Sequence, residues 1–246
     1  MSKGKNAKYV PAKQSNTMTY VLGGIAVLVV IVVVIGGVLL MSKNEGTPAD
    51  KAQAAIDKAT PVFVLGKEDA PTKLTFFEDP YCPACGNMER QYGEQITKAV
   101  EDGKLQIKFF MLSFLNRSSP SGDYSDRAAG GLLAIAKSSL PGDQKQKAWM
   151  GAHTAMYANQ PEEGKGDKTN AEIATVLADG AKAKGVELPA DVTAAIRDGK
   201  YSVESAQNAG AGSKLMQDIG STGTPTVVHN GDKLTVQGDW LTPLLK

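Results

Sequence analysis

Cysteine is nearly absent from this chain: Cys82 and Cys85 are the only two in 246 residues. So small a supply excludes a disulfide-stapled scaffold, which needs several bridges, and the fold must stand on its hydrophobic core. It also argues against zinc. A structural zinc site takes four protein ligands, there is no second Cys-x-x-Cys, and His153 and His229 stand alone. Net charge is scarce as well: at +1 it makes no global case for nucleic-acid binding. The sequence shows no phosphate-binding glycine loop and no internal repeat.

One absence is local. Residues 1–44 contain no Asp or Glu, yet hold Lys3, Lys5, Lys8, Lys13 and Lys43, so the basic excess belongs to the N-terminal end. Within that end, Tyr20 to Met41 is an uncharged run of 22 residues dense in Val, Ile and Leu. At about 1.5 Å per residue it can cross a bilayer core of about 30 Å. A cleaved signal peptide would have a shorter apolar run, followed by a small-x-small site, and Leu39-Leu40-Met41-Ser42-Lys43 offers none. The run is therefore expected to be a retained transmembrane helix. Four lysines precede it, so the positive-inside rule places the N-terminus in the cytoplasm and the rest of the chain outside. The expected organisation is a basic cytoplasmic tail at 1–19, a transmembrane helix at 20–41, a linker at 42–60 and an α/β domain at 61–246. Within the linker, Asp50 to Ala59 can form a short helix.

What the chain does have is one dense motif, Phe76-Phe77-Glu78-Asp79-Pro80-Tyr81-Cys82-Pro83-Ala84-Cys85. The β-prone run Leu74 to Phe77 reads as a buried strand that ends in a turn and delivers Cys82 to the first turn of a helix. Two thiols at i and i+3 can close a disulfide, and a helix N-terminus favours the thiolate through its unpaired N–H groups and dipole. This is the chemistry of a dithiol redox centre. An inert structural bridge is the duller alternative, but one closing so short a loop adds little stability.

Around the motif, Val62 to Leu65 reads as a strand and Cys82 to Val100 as a helix with Cys85, Met88, Tyr92, Ile96 and Val100 facing the core. Gly103 suits a left-handed cap. Leu105 to Leu112 reads as a third strand. Helices are expected over Asp126 to Ser139, Gln144 to Ala158, Ala171 to Lys184 with Asn170 as N-cap, Pro189 to Arg197, and Ser202 to Ile219. His153 falls on a packed or half-exposed stripe four residues after Trp149. Gln160 to Lys168, with Glu162, Glu163 and Asp167, reads as a solvated loop. The end returns to β: Thr224 to His229, an Asn230-Gly231 hairpin signal, a return strand Lys233 to Val236, and a short helix Trp240 to Leu245. His229, just before the turn, reads as a surface residue.

This order of strands, motif and helices resembles the DsbA-like branch of the thioredoxin superfamily. Two pieces carry the resemblance: Asp79-Pro80-Tyr81-Cys82-Pro83-Ala84-Cys85 after a buried strand, and Gly223-Thr224-Pro225-Thr226-Val227-Val228-His229-Asn230-Gly231. It covers about 61–246 and implies a thioredoxin-like α/β fold with a helical insertion at about 120–200. It implies that Cys82 is the attacking, solvent-facing thiolate and Cys85 the buried resolving thiol. Pro83 and Ala84 shape the site between them. Pro225 is implied to be a cis-proline facing the pair, with Thr224 offering backbone groups to a substrate chain. DsbA itself has Pro-His where this chain has Pro83-Ala84. The buried acid that many relatives carry six residues before the first cysteine is Phe76 here. Glu78 and Asp79 follow as candidate proton acceptors, or as turn and capping residues.

Taken with the anchor and topology expected from the apolar run, the resemblance implies an extracytoplasmic, membrane-anchored thiol–disulfide oxidoreductase that introduces disulfides into exported proteins. Its substrates are unfolded or reduced exported chains, its redox partner a quinone-linked membrane oxidase, and it needs no cofactor or metal. Two alternatives stand beside it: a reductase or isomerase of the same fold fed with electrons across the membrane, and a non-catalytic tethered binding module.

Overall fold

The computed structural model describes residues 46–245. The tail at 1–19 and the apolar run at 20–41 lie outside the described residues. Among the described residues no helix is long and apolar enough to cross a membrane.

In chain order the elements are α1 (Pro48–Lys58), β1 (Phe63–Leu65), β2 (Thr72–Glu78), α2 (Pro83–Glu101) and β3 (Leu105–Met111). Five helices follow: α3 (Tyr124–Ala136), α4 (Gly142–Ala158), α5 (Asn170–Ala183), α6 (Ala190–Arg197) and α7 (Ser202–Asp218). The chain closes with β4 (Thr226–His229), β5 (Asp232–Lys233) and a 3-10 turn at Thr242–Leu244. The sheet order is β1-β3-β2-β4-β5. β2 and β3 run parallel, with Phe76 opposite Phe109 and Glu78 opposite Met111, while the other neighbours are antiparallel. A central parallel pair joined by a helix and flanked by antiparallel strands is the expected thioredoxin-like arrangement.

The side-chain period of two along β2 and β3 sorts their residues between two layers. Leu74, Phe76, Ile107, Phe109 and Met111 join the larger core, built with α2 and helices α3 to α6. Phe77 and Phe110 face the other way, into a smaller cluster with Leu112, Val228, Leu215 and Met216 of α7, and Ile56 of α1. Helices α3 to α6 thus make up the insertion, whereas α7 belongs to the layer that covers the sheet. A Cβ at Gly212 would lie 2.8 Å from the Leu112 side chain, so a small residue there lets α7 approach β3.

The structure corrects the expected linker. Thr47 begins the compact unit. It caps α1 in a reciprocal capping box with Asp50. The helix then buries Ile56 completely against the sheet. Residues 47–59 are therefore part of the fold. The motif was hard to see because α1 offers only two core contacts, Ala52 and Ile56, on an otherwise polar surface. The cap of α5 is Thr169, paired with Glu172, rather than Asn170. Asn230 and Gly231 both take positive φ, as the hairpin signal requires, and a Cβ at Gly231 would collide with the Ala49 carbonyl of α1. The return strand stops at Lys233, and instead of a helix from Trp240 the chain forms only the 3-10 turn.

The docking of α1 is open to test. Replacing Ile56 with Ala removes a fully buried side chain and should cost about 2–5 kcal/mol. Urea unfolding of the full chain would show this as a lowered midpoint. An unchanged midpoint would mean that α1 does not belong to the core.

Candidate active site

The site is built at the end of β2. Asp79 opens the turn, and its buried carboxylate accepts from the Tyr81 N–H at 2.9 Å, the Leu115 N–H at 3.0 Å and the Ser125 hydroxyl at 2.5 Å. Its carbonyl accepts from the Cys82 N–H at 2.9 Å. Asp79 is thus a turn residue that also ties β2 to the start of α3. Cys82 takes the N-cap position of α2 in an extended conformation, and Pro83 follows at the first helical position, where its missing N–H costs nothing. No side-chain oxygen caps this helix, so its first amides are left for the sulfur.

The second piece of the resemblance meets the first in space. The Thr224–Pro225 peptide is cis, and the Cys82 thiol donates to the Thr224 carbonyl at 3.4 Å. Both cysteines are reduced. Cys85 has no exposed surface and Cys82 keeps 6%, so both thiols are buried and Cys82 is the less covered of the two.

The two sulfurs are electrostatically unlike. The thiol pKa of Cys82 is lowered to about 6. The Cys85 thiol's hydrogen bond to it is the main cause, Thr224 and the Cys85 and Ala84 amides add to it, and burial opposes it. Cys85 is pushed well above the ordinary thiol range, first by burial, then by its hydrogen bond to Cys82 and the negative charge of Glu78. At neutral pH one thiolate therefore faces one thiol.

Below the pair lies a buried polar cluster that the sequence reading missed in part. Glu78 is completely buried, and its Oε2 lies 2.7 Å from His153 Nε2 on α4. The Tyr157 hydroxyl donates to the same oxygen at 3.4 Å. Burial raises the Glu78 pKa, in spite of His153. Burial pushes His153 down, but the charge and hydrogen bond of Glu78 outweigh it, and the net shift is upward. Asp79 is raised to about 6 by burial, against its three donors. The period of two explains the position. Phe76 fills the core, and Glu78, two residues on, shares that face. His153 is fully packed rather than half-exposed. The signal for it was a polar residue in the stripe Trp149, His153, Tyr157, where each lies one helical turn from the next.

The loop at 160–168 is a strap rather than a free solvated loop. Gln160 Nε2 donates to the carbonyls of Pro80 and Cys82, both at 2.9 Å. The Tyr81 hydroxyl donates to the Gly166 carbonyl at 2.7 Å and accepts from the Gly164 N–H at 3.0 Å. Among the described residues no group of three or more His, Cys, Asp and Glu side chains could hold a metal ion.

Fold and site together define a thiol–disulfide oxidoreductase built on a thioredoxin-like scaffold. A thioredoxin family model matches residues 58–242, and the chain belongs to that family. Within it, the chain falls in the DsbA-like branch, as the solved structures show. It is 28% identical to MdbA, a thiol-disulfide oxidoreductase from Corynebacterium diphtheriae, with a TM-score of 0.56 over 70% of this chain and 83% of that one. It is 26% identical to DsbA from Mycobacterium tuberculosis, with a TM-score of 0.54 over 72% of this chain and 86% of that one. Among curated relatives it is 30% identical over 188 residues to the serine/threonine-protein kinase PknE of Mycobacterium tuberculosis. That match covers 75% of this chain and 31% of the kinase, so the chain spans about a third of that relative's length.

The asymmetry of the sulfurs predicts a titration. In the reduced protein, absorbance at the thiolate band should rise in one step with a midpoint at about pH 6, and Cys85→Ala should move that midpoint upward. Because the folded pKa is depressed, the stabilisation it gives is complete above the unfolded thiol range at about 8.5 and is lost as pH falls through about 6. Relative to Cys82→Ser, the reduced protein should therefore gain stability over that interval. A midpoint at about 8.5 would contradict the geometry.

Proposed function

We propose that the protein donates disulfides to exported polypeptides from the outer side of a membrane, anchored by the apolar run at 20–41. The observation that carries this reading is the depressed thiol of Cys82 beside a Cys85 held protonated. A low thiol pKa stabilises the reduced form and makes Cys82 a good leaving group, and both favour passing the disulfide on.

In this reading a substrate thiolate attacks the Cys82 sulfur of the Cys82–Cys85 disulfide. Cys85 leaves as a thiolate and takes up a proton, with Glu78, a buried carboxyl whose charge is felt at Cys85, to supply it. A second substrate thiol then attacks the mixed disulfide. The substrate leaves oxidised, and Cys82 leaves as a thiolate into the amides of α2. Thr224 and Pro225 present the Thr224 carbonyl to the arriving chain, and Pro83 and Ala84 form the exposed lip of the site. Two electrons have moved from two substrate thiols to the cysteine pair. Restoring the disulfide calls for a membrane oxidase, of the quinone-linked kind that the family resemblance implies. Both electrons travel through sulfur, so the chain itself needs no cofactor. Asp79 is better suited to holding the turn than to moving protons, because all its ties are to the scaffold.

Replacing Cys82 with Ala should abolish disulfide transfer to a reduced model protein, and Cys85→Ala should accumulate mixed disulfides visible on non-reducing gels. Equilibration with glutathione should give a potential near the DsbA value of about −120 mV. A value near that of thioredoxin, about −270 mV, would reverse the direction of flow and make the protein a reductase. Full activity in Cys82→Ala would sink this mechanism, and unchanged function in a double Cys82→Ala, Cys85→Ala variant would favour the binding-module reading.

A further inference from the structure

The resolving thiol poses a problem that the two cysteines do not solve. Cys85 is fully enclosed, and its proton must leave and return each time the disulfide forms and opens. We propose that His153 and Glu89 carry that proton between Glu78 and solvent, forming a relay that runs from the resolving cysteine to the protein surface along the seam between α2 and α4. The proposal rests on the redox reading above and extends it to residues that touch neither sulfur.

The geometry is continuous. The backbone N–H of Asp79 is hydrogen-bonded to the Cys85 sulfur, and the charge of Glu78, one residue earlier in β2, is felt there. Glu78 Oε1 has no hydrogen-bond partner in the protein, so one carboxyl oxygen remains free to take a proton. The other, Oε2, meets His153 Nε2 at 2.7 Å. On the far side of the ring, His153 Nδ1 lies 3.7 Å from Glu89 Oε2, slightly beyond a direct hydrogen bond. Glu89 keeps 9% of its side-chain surface accessible and is held from outside by the hydroxyl of Thr154, an exposed residue, at 2.7 Å. An imidazole with a carboxylate on each nitrogen can accept on one side and release on the other, which is the chemistry of a proton shuttle.

The ring is also fixed in place. Trp149 stacks on it at 5.1 Å, and the Phe109 and Tyr157 rings lie at 4.9 and 5.1 Å. The titratable groups facing the relay are Glu78 and Asp79 from β2, Cys82, Cys85 and Glu89 from α2, and His153 and Tyr157 from α4. β3 contributes only apolar side chains to this core, Phe109 and Met111 among them. His153 is the one cation among these groups, and its ring is the side chain that stands between Glu78 and Glu89. The bland alternative is a buried pair kept for packing, which is a costly way to gain stability, since desolvation offsets the attraction.

One reaction separates the two. Reduced full-length protein is mixed with one equivalent of dithionitrobenzoate, an aromatic disulfide. The Cys82 thiolate attacks it and releases a first aryl thiolate. Cys85 then loses its proton, attacks the Cys82 sulfur of the mixed disulfide and releases a second. Two electrons pass from the cysteine pair to the reagent, and one proton passes to the relay. In Glu89→Gln and His153→Gln the first release should keep the wild-type rate, while the second should slow by about a hundredfold at pH 7, the low end of what a lost proton carrier costs. The deficit should shrink toward about pH 9, as hydroxide takes over. Should His153→Gln fail to fold, Glu89→Gln, at the surface end, decides alone. A second release at wild-type rate across about pH 5 to 9 would overturn the relay, as would equal slowing of both releases. Absence of any first release from the wild-type protein would instead remove the redox reading beneath it.

Discussion

Two sulfurs one helical turn apart must hold different numbers of protons, and the rest of the structure follows from that constraint. A thiolate needs donors and distance from negative charge. A thiol that is to stay protonated needs burial, and gains from a nearby anion. The chain meets both demands by placing Cys82 at the N-cap of α2, where amides of the first turn are unclaimed, and Cys85 inside the core above Glu78. The hydrogen bond between them works in both directions at once, lowering the first pKa and raising the second. Moving the pair one residue along the helix would lose this, because the second sulfur would turn away from the core.

Burying Glu78 and His153 together is expensive by itself. Taking both groups out of water costs several kcal/mol per ion before their attraction is counted. The pair persists because each partner holds the other: the carboxylate raises the imidazole, and the imidazole moderates the carboxylate. One proton shared between them keeps the site near neutrality and lets a charge appear at Cys85 without a second unpaired charge beside it. Stability alone would be served as well by an apolar pair of similar volume, so proton chemistry is the better reason for their presence.

The parts of the fold that depend on local pattern were legible in the sequence. Leu74 to Phe77 is β-prone and buried, Pro83 marks the start of α2, Gly103 ends it with positive φ, and Asn230-Gly231 makes the hairpin. The cysteine motif and Thr224-Pro225, 142 residues from Cys82, could be brought together only through the family resemblance, because no local rule joins them. What escaped depended on contacts distant in sequence. The docking of α1 rests on two buried side chains, Ala52 and Ile56. The strap at 160–168 is polar and glycine-bearing, like any solvated loop, until Gln160 is seen to hold the Pro80 and Cys82 carbonyls and the Tyr81 hydroxyl the backbone of Gly164 and Gly166. His153 looked like one more residue of a packed stripe, since its partner Glu78 lies 75 residues earlier.

The helical insertion therefore does more than enlarge the domain. Its α4 supplies His153 and Tyr157 to the buried carboxyl, and the loop after α4 supplies Gln160 to the carbonyls on either side of Tyr81. The same helix thus reaches the reactive turn from below and from the side. In a minimal βαβ unit, the sulfur pair would have only the helix N-terminus to distinguish its members. Here a second helix, packed along α2, adds a proton-holding group beneath one sulfur and a fixed scaffold around the other. Beyond the Cys85 thiol itself, the thiolate is met by backbone amides that do not titrate, whereas the thiol lies beside the titrating carboxyl of Glu78. Such a division lets the attacking sulfur stay ionised across neutral pH while the resolving sulfur gains and loses its proton with each turnover.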